Sequence, residues 1–404
     1  MPNGRFRREE TTRRAMLASL GAAGAISSAG CLTTLPSFGQ QIRFGDVDEP
    51  SASSPVYREW IPNEIEAYRT AGSTHVEYQI PGERGERTVG APYSDRSIKD
   101  GLDHVGVDFQ SFEYLLRVGR VIVGRANVDR SHVGDAITQT GYEPHETTEE
   151  FELYHRTPPG AGRGRTVAVG DEHLLLARES PDAIRELLDT SAGRRTRRHE
   201  AESDFALLTD EVGGYPVTTL GASGPELDGE TPTQSAGAAV FDDSYAYGVR
   251  TYVFPEETAV SRSAVEGWLS ESPRALDATR VDLRIDGRTL TVVLQVSHGV
   301  FEDLFGPLFE YPVITWGIEH DEGALRFVHE AGDSVDATLL TVRDRIAETP
   351  ADEQFSDVYD TVEPGDSVTL DVSGTEEWSF AVQGRVPDSD ERWTETGFNH
   401  TRVE

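Results

Sequence analysis

The hydrophobic patterning of this 404-residue chain predicts an α+β fold: two diverged strand-helix-strand-strand units followed by a small C-terminal β-sandwich. Three observations predict it. An order of strand, helix, strand, strand occurs once before residue 220 and again after residue 239. The stretch between them holds turn formers and acid with almost nothing to bury. Beyond residue 310, short apolar runs alternate with turn signals at sandwich spacing.

In the first unit, Arg120 to Val128 reads as a strand, and Ser131 to Thr140 as a helix capped by Ser131 that buries Val133, Ala136 and Ile137 before Gly141. Phe151 to His155 is extended. Thr166 to Ala177 is also extended, turned into a hairpin at Gly170-Asp171. The clearest helix begins at Ser180-Pro181, puts Ile184, Leu187 and Leu188 on one face, and stops at Gly193. In the second unit, Ala246 to Phe254 is extended and Ser263 to Ser270 is helical, with Ala264, Val265, Trp268 and Leu269 inward. Two strands follow around Asp286-Gly287. Internal duplication and coincidence of order both fit, because the spacings differ.

The C-terminal strands are expected at Val313 to His320, Ala324 to His329, Thr338 to Arg343, Ser367 to Val372 and Trp378 to Arg385. The resulting organisation is a leader (1–30), a tether (31–42), an α+β domain (43–219), a linker (220–239), a second α+β unit (240–310) and a β-sandwich-like domain (311–404).

The charge balance is extreme, with 71 Asp and Glu against 37 Lys and Arg. Residues 1–30 carry five Arg and two Glu, so the chain beyond them carries −37. Such self-repulsion opposes compaction in dilute buffer, but in molar salt the Debye length falls to about 3 Å and most of it is screened. Lys99 is the only lysine; every other basic side chain is arginine, which pairs bidentately with carboxylates. Codon bias in a GC-rich genome would also replace Lys by Arg, but it does not create the acid excess, so the composition points to a halophile. With 34 aromatic residues and 37% hydrophobic residues, the chain can still build cores.

The first thirty residues have the order of an export signal: basic Arg5, Arg7 and Arg8, then Thr12-Arg13-Arg14-Ala15-Met16-Leu17, then a weakly apolar stretch to Gly30. That stretch is too short and glycine-rich for a membrane span of about 20 residues. Ser28-Ala29-Gly30-Cys31 follows, with Ser28 where a lipobox usually has Leu. Arg13-Arg14 and Cys31 together resemble twin-arginine lipoproteins of haloarchaea. The resemblance implies export in the folded state, an isoprenoid ether lipid on Cys31, and the membrane as a partner through that lipid. Cys31 is the only cysteine, so its lipidation excludes disulfides, cysteine nucleophiles and Cys-ligated metals.

Ala324-Leu-Arg-Phe-Val-His-Glu-Ala-Gly-Asp-Ser-Val-Asp-Ala and Val362-Glu-Pro-Gly-Asp-Ser-Val resemble the C-terminal β-domain of archaeal type IV pilin-like proteins over about 75 residues. The chain lacks the long apolar N-terminal helix of a pilin. The likeness therefore implies an extracellular contact or spacing module and no filament.

No Gly-x-Ser-x-Gly, Ser-x-x-Lys, His-Glu-x-x-His, Walker or dinucleotide-binding motif is present. Ser223 in Gly221-Ala-Ser-Gly imitates a nucleophile elbow but lies in the polar linker. Carboxylate pairs are too numerous to single out a glycosidase dyad. His320 and His329 would stand four or five ladder positions apart across a hairpin, about 13–17 Å, too far to share a metal, and read as surface histidines. Arg194-Arg195-Thr196-Arg197-Arg198-His199 resembles a polyanion patch. Glu200, Glu202 and Asp204 follow it directly, however, and counterion-release binding collapses in salt, so it reads as ion pairs past a helix end and nucleic acid is not expected. Asn399-His400-Thr401 is a glycosylation sequon.

These observations predict a non-enzymatic, lipid-anchored surface protein without cofactor or metal, contacting an envelope protein or glycan. The rivals are a solute-binding lipoprotein with a cleft between the α+β units and a hydrolase using carboxylates alone. The halophile reading has a direct test: the purified protein should lose its near-UV circular dichroism on dialysis from molar to dilute salt, and an unchanged spectrum removes it.

Overall fold

The computed structural model describes residues 42–64, 76–81, 98–99, 102–157, 164–178, 181–221, 224–255, 260–300, 312–321, 323–373, 377–387 and 392–401. The expected leader, the tether up to residue 41, and the Ser180 cap lie outside these residues.

The expected α+β class is overturned: the chain is largely antiparallel β. Twelve strands form one sheet: β1 (Val76–Gln79), β2 (Tyr114–Val118), β3 (Val121–Arg125), β4 (Glu143–Thr147), β5 (Glu152–Arg156), β6 (Arg165–Val169), β7 (His173–Ala177), β8 (Val217–Leu220), β9 (Gln234–Phe241), β10 (Tyr245–Val253), β11 (Arg280–Asp286) and β12 (Thr289–Ser297). Their order is β11-β12-β10-β9-β8-β1-β2-β3-β7-β6-β5-β4. The two expected units are wings of this single sheet, joined where Val76 pairs with Leu220 and Gln79 with Val217. Local patterning missed the join because Val-Thr-Thr-Leu and Val-Glu-Tyr-Gln are short and half polar, and their pairing is between segments remote in sequence.

The expected linker is also corrected at both ends. Leu220 closes β8, and residues 234–239 belong to β9, where Ala236, Ala238 and Val240 are buried. Gly237 has a packing cause: a Cβ there would stand 2.3 Å from Nη1 of Arg250 on the paired strand.

Helices cover both faces. On one, α2 (Pro181–Ser191) and α4 (Ser203–Val212) bury Ile184, Leu187, Phe205 and Leu208 against Val121, Val123, Leu175 and Val249. The short α3 (Arg198–Ala201) leads into α4. On the other face, α1 (Arg130–Thr138) packs Val133 and Ile137 on Leu115, Ile122 and Leu174, while α5 (Arg262–Ser270) and α6 (Pro273–Asp277) pack Val265, Leu269 and Ala275 on Tyr252, Leu290 and Val292. Strands such as Val121-Ile122-Val123 are thus buried on both faces, so they read as continuous apolar runs without alternation. The cap of α1 is Asp129, whose carboxylate accepts from Ser131 N and His132 N; Ser131 donates its hydroxyl to the same oxygen. A carboxylate at the positive helix end outcompetes a hydroxyl for the cap.

The C-terminal residues build three small sheets from β13 (Ile314–Asp321), β14 (Ala324–Gly332), β15 (Val335–Asp336), β16 (Leu340–Asp344), β17 (Thr349–Pro350), β18 (Thr361–Val362), β19 (Ser367–Asp371), β20 (Glu377–Arg385) and β21 (Arg392–Thr401). The sheet orders are β13-β14-β19, β15-β18 and β17-β16-β20-β21. Trp316, Phe327, Phe355, Trp378 and Val382 form their shared core.

A buried ionic clamp ties this module to the large sheet. Arg156 of β5 donates through Nη1 and Nη2 to Glu330 of β14 at 2.5 and 2.8 Å, with only 11% and 22% of the two side chains exposed. Arg156→Met strands the partly desolvated Glu330 and should lower stability by about 3 kcal/mol in molar-salt denaturant titrations. Arg156→Met with Glu330→Met should recover most of that loss; a double variant no better than the single one rules out the clamp.

Candidate functional site

A cavity of about 700 Å³ opens beside α1, lined by Lys99, residues 102–110 and Phe112, by His132, Asp135 and Ala136 of α1 with Gln139 just past its end, and by Val313 and Asp333 of the C-terminal module. The helix contributes these side chains because i, i+4 and i+7 share one face, while Val133 and Ile137 point to the core. Gly106 sits at φ 76°, and a Cβ there would come within 3.0 Å of Ala136 Cβ, so only glycine lets the loop turn this close to the helix. Gly124 leaves room for the Phe112 ring, and Asp108 caps the turn at Phe109 by accepting from Gln110 N at 2.9 Å.

Behind the cavity, Asp103 receives Arg165 Nη1 on both oxygens, at 2.7 and 2.8 Å, and the Tyr142 hydroxyl at 2.5 Å. Burial pushes the Asp103 carboxyl up, but Arg165 and Tyr142 outweigh it and hold it below the ordinary range. Glu330 goes the other way: burial raises it despite Arg156, and the Asp103 charge adds to the rise. At the module junction, His104 N donates to the buried Thr315 Oγ1 at 2.7 Å, and Asp333 accepts from Val313 N at 2.8 Å. Burial lowers the His104 pKa, as does His132, against the pull of Asp333, so the ring is neutral near pH 7. Polar groups at the rim and the rings of Phe109 and Phe112 below them suit a small molecule with a polar end and an apolar body. Among the described residues, no group of three His, Cys, Asp or Glu stands close enough to hold a metal, and no helix is long and apolar enough to cross a membrane.

The expected ligand cleft between two α+β units is not where the cavity lies. The units share a sheet, and no described residue of 240–310 lines the cavity. Arg13, Arg14, Cys31 and Ser223 lie outside the described residues. Asn399 is on β21, paired with Ser379. The arginine run is fully engaged: Arg194 and Asp189 pair at 2.7 Å, Arg195 pairs with Glu186, Arg197 donates to Ser191 O at 2.9 Å, and Arg198 pairs with Glu202 at 3.0 Å while lying over Phe205.

The hairpin register pairs His320 with Leu325 and Trp316 with His329, so the two histidines stand four positions apart on the ladder. His320 is exposed, stacking near Trp378 at 5.6 Å. The surface reading of His329 is corrected: it is fully buried against Trp316, with ring centroids 5.5 Å apart, because β14 turns it toward the module core. The sequence signal for the site itself is Lys99, set apart by its rarity alone. Its ammonium stands 4.3 Å from the Phe109 ring centroid, and the side chain is 7% exposed.

No family model and no curated protein matches the chain. Among solved structures, crystal form I of TP0453 aligns with a TM-score of 0.37 at 9% identity, covering 58% of this chain and 95% of that one. Crystal form III aligns at 0.35 and 8% identity, covering 63% and 95%. Likeness of this degree carries no inference about fold or function.

Burial lowers the pKa of His329, against hydrogen bonding with the backbone of Glu363 and Ala331 and the pull of Asp366 and Asp333. Protonation is therefore easier in the unfolded chain, so the histidine's stabilising contribution is full above the unfolded value and is lost as pH falls below about 6.5. The Trp316 near-UV signal should fade on acidification in molar salt, and His329→Leu should carry the midpoint to lower pH. An unshifted midpoint assigns acid lability to the carboxylates alone.

Proposed function

We propose that the mature chain is a lipid-anchored protein on the outer face of the cell membrane that holds a small ligand without transforming it. Localisation rests on Arg13-Arg14 and on the only cysteine, Cys31, directly behind Ser28-Ala29-Gly30. The observation that carries the binding role is the cavity beside α1, whose volume lies in the range of ligand sites and whose lining combines aromatic rings with convergent polar groups. Its position at the junction with the C-terminal module gives that module a part in the site, through Val313 and Asp333, besides spacing or contact. The ordered carboxylates there are paired or at the rim, which favours holding over acid-base chemistry.

A two-armed experiment tests both parts. Cys31→Ser should move the protein from sedimented envelopes to the culture supernatant; retention on envelopes defeats the anchor. His132→Trp alters an exposed residue of the lining, and the variant purified in molar salt should release none of the small molecule that native mass spectrometry detects on wild type. Identical small-molecule content in both proteins defeats the cavity.

A further inference from the structure

Lys99 stands apart in composition, burial and position at once. Every other Lys or Arg position in the chain is arginine, so the general pressure on cationic positions has selected guanidinium. The one primary amine of a side chain is 7% exposed, in the lining of the cavity, with its nitrogen 4.3 Å from the Phe109 centroid. Leu102, Val105 and Phe112 supply further apolar lining. Carboxylate pairs elsewhere in the chain are made by arginine, as Arg156, Arg165 and Arg198 show. An amine differs from guanidinium in one chemical respect that matters in a cavity: it can give up its proton and become a nucleophile.

We propose that Lys99 captures a small aldehyde or ketone as a reversible imine inside the cavity. This deepens the ligand-holding role proposed above and rests on it. The neutral Nζ attacks the carbonyl carbon, forming the C–N bond as the π electrons move to oxygen. Proton transfer from nitrogen to oxygen gives the carbinolamine. A second proton on that oxygen lets it leave as water while the nitrogen lone pair closes the C=N bond, and loss of the remaining N–H proton leaves the imine. One carbonyl compound and one amine thus give one imine and one water, with no oxidation or reduction, and water reverses each step. His104 and His132 in the same lining are the groups suited to carry the protons: burial holds His104 neutral near pH 7, and His132 is exposed to solvent. The rings of Phe109 and Phe112 provide an apolar bed for the rest of the ligand, which points to carbonyl compounds with an aryl or alkyl body in preference to sugars.

The test uses the full chain in molar salt near neutral pH, with benzaldehyde as probe, cyanoborohydride to trap the imine, and peptide mapping to separate Lys99 from the α-amine. The expected result is one saturable benzyl adduct on Lys99, formed at least about tenfold faster in the native protein than in the same protein unfolded by low salt and urea, an excess of about 1.4 kcal/mol. Lys99→Arg should abolish it, and His104→Gln should slow it without changing the site. Native labelling equal to or slower than that of the unfolded chain means that the fold merely shelters the amine, and it overturns the proposal. In that event, ligand release from wild type and not from His132→Trp still supports the cavity, so failure of the imine and failure of ligand holding are separate outcomes.

Discussion

Four residues of β1 paired with four of β8 decide how the rest of the chain is arranged. Without that antiparallel ladder, residues 114–177 and 234–297 would each be a small sheet with an open edge, a surface prone to pairing with other chains. With it, the sheet runs unbroken through twelve strands, and both faces must be covered by the segments that connect them. One face receives α2 and α4 as a continuous layer. The opposite face receives α1 at one wing and the α5/α6 pair at the other, each with its own core. The cavity follows from this division, because α1 and the loop before β2 cover only the first wing and the C-terminal module closes against them.

That closure has an ionic component. Arg156 reaches Glu330 across the junction, Arg165 holds Asp103 just beneath, and both pairs are shielded from solvent. Shielding matters because added salt weakens exposed pairs far more than buried ones. The opposite shifts of Asp103 and Glu330 show two carboxylates in one desolvated cluster dividing a limited supply of positive charge. Asp103 takes the hydrogen bonds of Arg165 and Tyr142, and Glu330, beside that charge, is the weaker acid.

Local signals were legible wherever one segment determines its own conformation. Pro181 and Gly193 bracket α2, with Gly193 at φ 71°; Asp286-Gly287 turns β11 into β12; and the hairpin between His320 and Leu325 has the register its spacing implies. What stayed hidden depends on partners distant in sequence. Val217–Leu220 is a strand because Val76–Gln79 and residues 236–239 flank it, and Gly237 of β9 leaves room for the Arg250 side chain. His329, by contrast, follows Leu325 and Phe327 at two-residue spacing, so strand alternation itself turns it toward the core. The site was hidden because its lining comes from a loop, a helix and a strand end that no single pattern connects. Lys99 was the one visible clue, and it was chemical.

A binding site in a protein proposed to work in molar salt faces a constraint that the cavity's composition addresses. With a Debye length of about 3 Å, long-range attraction contributes little, and a charged ligand must compete with abundant small ions for every exposed partner. The acid-rich rim of Asp108, Asp135 and Asp333 would hold a cation weakly under such conditions. Contacts that survive are those from which ions are excluded: apolar area against Phe109 and Phe112, hydrogen bonds to partly buried groups such as His104, and a covalent bond. An amine sheltered behind that rim meets the last requirement, whereas a guanidinium at the same place would supply only charge.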